Sequence, residues 1–266
     1  MKALKVIIFS VVTIAVVFYL VVITAAPLRK VAELNRLATS DSVFMNKYTA
    51  IATYPKLLPL VKEKAHLQAQ IEMAESDSIG LVINVKEKKA SLMLKGVEIH
   101  SSLIKELNID PVFKGIESPA YRKMFTNPIH NVGEYSSVIK EPIVYKKAPK
   151  DTIEAMKMLT LPVAPEPEPA YVNYDLQYGI KLILVQDKWE TEADLIEEKK
   201  YTDDMKKLRI HNSIGLLKNL REPSYIPVIS AVMDGKEVRA IYRALPQKAN
   251  IVFIFSDQHR AFDCGF

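Results

Sequence analysis

The feature that most constrains this chain is an apolar segment, 6–26, whose 21 residues carry no charge, preceded by a five-residue stub. Wound as a helix at about 1.5 Å per residue, the run covers a hydrocarbon core of about 30 Å, so the sequence predicts a membrane-spanning helix. A cleaved signal peptide is the competing expectation, because Lys2 and Lys5 precede the run and Thr24-Ala25-Ala26 supplies small residues at its end. Signal-peptide apolar cores are about 7–15 residues long, which favours retention here. No Cys lies just after the run, so lipoprotein processing is excluded. Lys2 and Lys5 before the span nearly balance Arg29 and Lys30 after it, so the positive-inside rule orients it weakly. The short stub and the large C-terminal part favour an N-terminus inside and a C-terminus outside.

The rest of the chain is long enough for one or two folded domains with a packed core. The 49% hydrophobic and 25% charged composition is that of a folded rather than a disordered chain. The net charge of +5 arises from Lys and Arg interspersed with Asp and Glu. No basic block with interleaved aromatics occurs, so a nucleic-acid partner is not expected. The single cysteine, Cys264, permits no internal disulfide and no cysteine metal site, and it stands one position from where a prenylation box requires it. No cofactor-binding or metal-ligand spacing is present either.

Residues 27–75 read as a helical juxtamembrane stalk. Val31, Leu34 and Leu37 recur at spacing three, and Leu57, Leu60, Val61, Lys64, Leu67 and Ile71 form a second stripe, with Pro55 and Pro59 as interruptions. The segment is expected to form two helices leading away from the membrane, with their apolar face packed mainly on their own domain. Leu57, Leu60, Val61, Leu67 and Ile71 are also the candidates for a partner-binding face, although there are too few uninterrupted heptads for a free coiled coil.

At Asp77 the period changes to alternation. Ile79, Leu81, Ile83 and Val85 predict one strand, Lys86 to Lys89 a charged turn, Ala90, Leu92 and Leu94 a second strand, and Val97, Ile99, Ser101 and Leu103 a third after Gly96. Residues 108–149, rich in Pro and Gly, predict short strands and loops, and residues 153–161 a short helix or strand. Four prolines within residues 162–169 predict a polyproline-like insertion, with Pro165, Pro167 and Pro169 exposed for recognition. A buried strand is expected over residues 178–185 and a charged helix over 190–208. Asp234 and Glu237 then cap an amphipathic helix stopped by Pro246, and a strand over 251–255 follows. The fold class is α+β: a transmembrane helix, a helical stalk, a mainly β domain over 76–256 with the proline insertion, and a tail over 257–266. The two parts flanking the insertion are expected to share one β-core, since each alone has too few strands to shield a sheet.

Two stretches resemble a known family. Ser78-Ile79-Gly80-Leu81-Val82-Ile83-Asn84-Val85, the turn Lys86-Glu87-Lys88-Lys89, then Ala90-Ser91-Leu92 and Gly96-Val97 resemble the opening hairpin of L,D-transpeptidase (YkuD-type) catalytic domains. Val238-Arg239-Ala240-Ile241-Tyr242-Arg243-Ala244-Leu245-Pro246 followed by Ile251-Val252-Phe253-Ile254 is similar to that family's last helix and strand. The resemblance implies a mainly β-fold at the bacterial cell wall, and hence a single-pass inner-membrane protein with its C-terminal domain in the periplasm. The family acylates a cysteine assisted by a histidine and backbone oxyanion donors. Counting back from Ile241 and Tyr242, the cysteine position falls on Ser230, the preceding glycine on Ile229 and the following arginine on Val232. The strand over 178–185 carries no histidine where the family has one.

The departures imply a domain without the family's nucleophile: a non-catalytic, membrane-anchored envelope protein, acting as a scaffold or binding subunit for inner-membrane or periplasmic proteins, with peptidoglycan as a further partner. The alternative is a peptidoglycan acyltransferase or hydrolase using Ser230. That residue would need a base among His66, His100, His130, His211 and His259, none of which is placed by a motif.

Overall fold

In the computed structural model, which describes residues 2–39, 58–140, 168–218 and 225–255, the uncharged run opens a single helix, α1 (Lys2–Thr39), that continues through Pro27 without a break. The hydroxyls of Thr13 and Thr24 donate to Phe9 O (2.8 Å) and Leu20 O (3.0 Å), one turn back. Such back-bonding gives each hydroxyl an acceptor within its own helix. Side chains from Ile8 to Val21 are exposed along this part of the helix.

Beyond the run, α1 does not lead away as a free stalk. Leu34 is fully buried, Ala26 and Lys30 nearly so, and Lys30 pairs with Glu33 at 3.0 Å. Val31 and Leu37 pack against the main core. Asn35 donates to Gly115 O (3.3 Å) and accepts from Glu117 N (2.9 Å). The apolar spacing at 31, 34 and 37 therefore buries against the globular part, in keeping with a stalk whose apolar face packs on its own domain.

Nine strands form one mixed sheet among the described residues: β1 (Gly80–Asn84), β2 (Lys89–Leu94), β3 (Val97–Leu103), β4 (Glu106–Ile109), β5 (Ile129–Ser136), β6 (Tyr171–Leu176), β7 (Ile180–Gln186), β8 (Val228–Met233) and β9 (Asn250–Ile254). Their order is β3-β2-β1-β9-β5-β6-β7-β8-β4. β1 runs parallel to β9 and β7 parallel to β8, and the other pairs are antiparallel. The two ends of the order are joined by consecutive residues: Ile104 N donates to Lys88 O (2.7 Å) and Lys105 N to Val232 O (2.8 Å). The sheet is thus rolled until β3 and β4, one stretch of chain, tie its ends together.

Alternation follows from the pleat. Leu81 and Ile83, Ala90 and Leu92, Val172 and Tyr174, Leu182 and Leu184, Ile229 and Ala231, and Ile251 and Phe253 all point into one core. Two shorter helices, α3 (Ser118–Phe125) and α5 (Gly235–Ala244), fill it out through Tyr121, Met124 and Phe125 and through Val238, Ile241 and Tyr242. Asp234 caps α5 by accepting from Lys236 N at 2.9 Å. The helix α3 was not legible in the Pro- and Gly-rich stretch that contains it.

The outer faces are covered by two longer helices. α2 (Leu58–Glu75) sets Ala69 and Met73 on Val82 and Val252. α4 (Glu192–Lys218), ten residues longer at its C-terminal end than the charged pattern predicts, sets Tyr201 and Met205 on Tyr171, Ile183 and Val185. Strand β7 is therefore buried on both faces, which explains its nearly unbroken apolar sequence. A reciprocal cap starts α4: Thr191 Oγ1 accepts from Asp194 N (3.1 Å) and Asp194 Oδ2 from Thr191 N (2.9 Å).

Candidate functional sites

Ser230 sits in the middle of β8, in register with Asn108 on β4 and Ile183 on β7. Its neighbours Ile229 and Ala231 face the core, so the Ser230 side chain takes the opposite face, beneath α4, and is 5% exposed. There it lines a cavity of about 530 Å³ with Asn108, Asp110, Arg209, Tyr225, Met205 and Leu208 among its walls and Pro27 of α1 at its border. Among the described residues no side chain hydrogen-bonds the Ser230 hydroxyl, and no histidine or lysine lines this cavity.

The acidic and phenolic groups of the cavity are already engaged. Asp110 accepts from Val112 N (2.9 Å) and from the Tyr225 hydroxyl (2.7 Å), capping the 3-10 turn Pro111–Lys114. Burial and that donation push the Tyr225 phenol well above its usual range, which keeps it a hydrogen-bond donor rather than a base. Asn212 closes a pair of bonds with the Ile226 backbone (3.0 and 2.9 Å). Arg209 has no ion pair or hydrogen bond among the described residues. Ile229 and Val232, at the positions where the resembled family has Gly and Arg, are packed in the core and against the outer face.

The histidines are dispersed. His66 is buried and bonded to the Tyr121 hydroxyl. His100 Nε2 lies 2.6 Å from Glu237 Oε2, joining β3 to the first turn of α5. His130 is exposed on β5. His211 lines a second cavity of about 310 Å³, with Lys181, Asp204 and Lys207, whose wall shares only Met205 and Leu208 with the Ser230 cavity among the described residues. His259 and Cys264 lie outside the described residues, and those residues contain no cluster of three or more potential metal ligands.

The stripe on α2 is placed differently from the expectation that it packs on its own domain. Leu60, Leu67 and Ile71 are 58%, 53% and 61% exposed, while Ala65, His66, Ala69 and Met73 form the buried face. The physical reason is close approach. A Cβ built on Gly80 would lie 2.2 Å from Met73 Sδ and 3.1 Å from Asn250 O, so the missing side chain at Gly80 leaves the notch that seats Met73 and holds this face of the helix on the sheet. Val61 is half-buried at the margin, and Leu57 lies outside the described residues.

Of the proline segment, Pro165 and Pro167 lie outside the described residues. Pro169 is half-buried, and its carbonyl accepts from the Ser137 hydroxyl at 2.6 Å. Next to it, Glu168 is held by α5: its carbonyl accepts from Arg239 (2.6 Å) and its carboxylate from Arg243 (3.1 Å) and from Ile139 N (3.3 Å). Both ends of the intervening segment are therefore fixed on the same side of the sheet, where β5 pairs with β6. Comparison with protein families, curated proteins and solved structures finds no match to this chain.

Proposed function

We propose that this chain is a membrane-anchored, non-catalytic cell-envelope protein that serves as a scaffold or binding subunit, engaging another inner-membrane or periplasmic protein through the outward face of α2. The observation that carries this reading is the exposed stripe Leu60, Leu67 and Ile71 on a helix already seated by its opposite face. Large apolar side chains in a row on a docked helix cost solubility unless a partner covers them. Anchoring is supported by the length of the uncharged run and by the continuity of α1 through Ala26, the residue at which a peptidase would cut, into side chains buried in the globular part. The bacterial envelope as setting rests on the sequence resemblance over residues 78–97 and 238–254.

Absence of catalysis is supported by the surroundings of Ser230. Its hydroxyl faces a wall whose carboxylate and phenol are bonded to each other, and the histidine on α4 opens to a different cavity. A serine nucleophile needs a base within hydrogen-bond reach. The alternative, an acyltransferase or hydrolase on peptidoglycan peptides, draws on the one fact that Ser230 lines a cavity at all.

Both readings meet in one experiment on the full chain in its native membrane. Leu67→Glu combined with Ile71→Glu should leave folding and abundance unchanged, since both side chains are exposed, yet abolish co-purification of the partner and complementation of a deletion strain. Ser230→Ala should retain both. Loss of function in Ser230→Ala, with normal folding and abundance, would sink the scaffold reading and restore the enzyme.

A further inference from the structure

From the cavity beside Ser230 we infer a binding site for one anionic phospholipid drawn from the bilayer, with the acyl chain along Met205, Leu208, Ile109 and Val228 and the headgroup phosphate at Arg209. This rests on the reading of α1 as a retained membrane anchor. The argument starts from position. Pro27, which borders the cavity, directly follows the apolar segment 6–26 and stands two residues before Arg29, the first charge beyond it, so a span ending at Ala26 brings the cavity to the level of the lipid headgroups. A cavity of about 530 Å³ lies within the about 300–1,000 Å³ typical of small-molecule sites.

Its chemistry is divided as a lipid requires. Met205, Leu208, Ile109 and Val228 give an apolar wall, while Arg209 supplies a guanidinium with no ion pair among the described residues. Arginine recognises phosphate by paired donation from a planar fork. The single carboxylate on the wall, Asp110, is occupied by Tyr225 and Val112 N and opposes an anion less than a free one would. The surroundings also suit a bilayer surface. Leu28 and Ile210, adjacent in sequence to Pro27 and Arg209, are 68% and 58% exposed, and Arg29 adds a basic group on α1 two residues beyond Pro27. Apolar and basic side chains intermixed at the end of a span are the pattern of an interfacial contact. Ser230 and Asn108 then serve as polar walls for the glycerol backbone rather than as reacting groups.

The test uses the full chain purified in mild detergent and offered phosphatidylglycerol or phosphatidylcholine at equal concentration, with retained lipid read by native mass spectrometry. The expected result is one phosphatidylglycerol per chain, with phosphatidylcholine retained about fivefold less. Arg209→Gln, an exposed position that leaves the fold intact, should erase the preference between the two lipids, and Arg209→Lys should keep part of it. Met205→Trp, which fills the cavity, should remove retention of both lipids, with thermal unfolding as the check on its fold. Equal retention of the two lipids by the wild-type chain, retention unchanged in Arg209→Gln, or full displacement of lipid by inorganic phosphate would each overturn the site. The anchor reading is scored separately. Intact mass and resistance to carbonate extraction report retention of residues 6–26 and are not altered by either substitution.

Discussion

Leu34→Ala tests the junction between the apolar helix and the globular part. Leu34 is 0% exposed and belongs to the main core, although it lies on the same helix as the uncharged run. Truncation of a fully buried leucine costs about 2–5 kcal/mol, made up of lost burial and the cavity left behind. This part of the chain packs against α3, α4 and the 3-10 turn before α3, and Asn35 next to Leu34 is bonded to Gly115 O and Glu117 N. Collapse into the cavity is therefore restricted, and a value of about 3 kcal/mol is expected. For a chain of this size each kcal/mol lowers Tm by about 2–4 °C, so the midpoint should fall by about 6–12 °C. The assay is thermal unfolding of the full chain in mild detergent, followed by fluorescence of Trp189, the only tryptophan, which packs in the outer cluster under α4. Leu28→Ala, on the same helix but 68% exposed, is the control and should change stability by no more than about 0.5 kcal/mol. If Leu34→Ala matches Leu28→Ala, the segment after the run is not docked and its rigid connection to the apolar helix is wrong.

Gly80→Ala should destabilise by about 1–3 kcal/mol in urea unfolding, because the new methyl meets Met73 Sδ and Asn250 O. Combined with Met73→Ala it should cost less than the two single changes added, since one clash is then removed. Thr191→Ala removes the acceptor for Asp194 N and should cost about 1 kcal/mol. Asp194 carries a pH signature. Burial alone would raise its carboxyl, but donations from Thr191 N, Gln186, the Thr191 side chain and Glu190 N outweigh it, and the net pKa lies below that of an ordinary aspartate. A carboxylate lowered on folding stabilises fully above its unfolded value of about 3.9, and that contribution disappears as pH falls through the folded value. Asp194→Asn should therefore flatten the stability profile below about pH 4 while leaving its slope near neutrality unchanged. A protease site placed within residues 162–167 and cut should leave the two halves co-eluting in gel filtration, because β1 pairs with β9 and β4 with β8 across the cut. Separation into two folded pieces would refute the shared sheet.

Local signals settle several elements of this protein before any tertiary contact is known. The uncharged length of residues 6–26 dictates an apolar helix, the alternation at Leu81 and Ile83 with the charged turn after it dictates a hairpin, and Asp234 before Val238 and Ile241 dictates a capped helix. Each depends on the period or on a cap within one turn of chain. The start of α4 lies within two residues of the charged pattern that begins at 190, although its end lies ten residues past that pattern. The placement of the remaining side chains required the tertiary structure. Periodicity reveals that α2 has an apolar stripe, but the side facing the sheet was decided by the close approach at Gly80, which admits Ala69 and Met73 and leaves Leu67 and Ile71 in solvent. The same limit applies to Leu34, whose spacing fits a spacer as well as a docked helix. It applies most of all to Ser230: no strand is predicted over 228–233 from the sequence, and that the residue lies on β8 and faces outward, under α4 and beside Arg209 and Pro27, depends on which neighbouring strands and helices the rolled sheet brings to that face. Contacts between residues distant in sequence leave no periodic trace, and in this chain those contacts form the cavity.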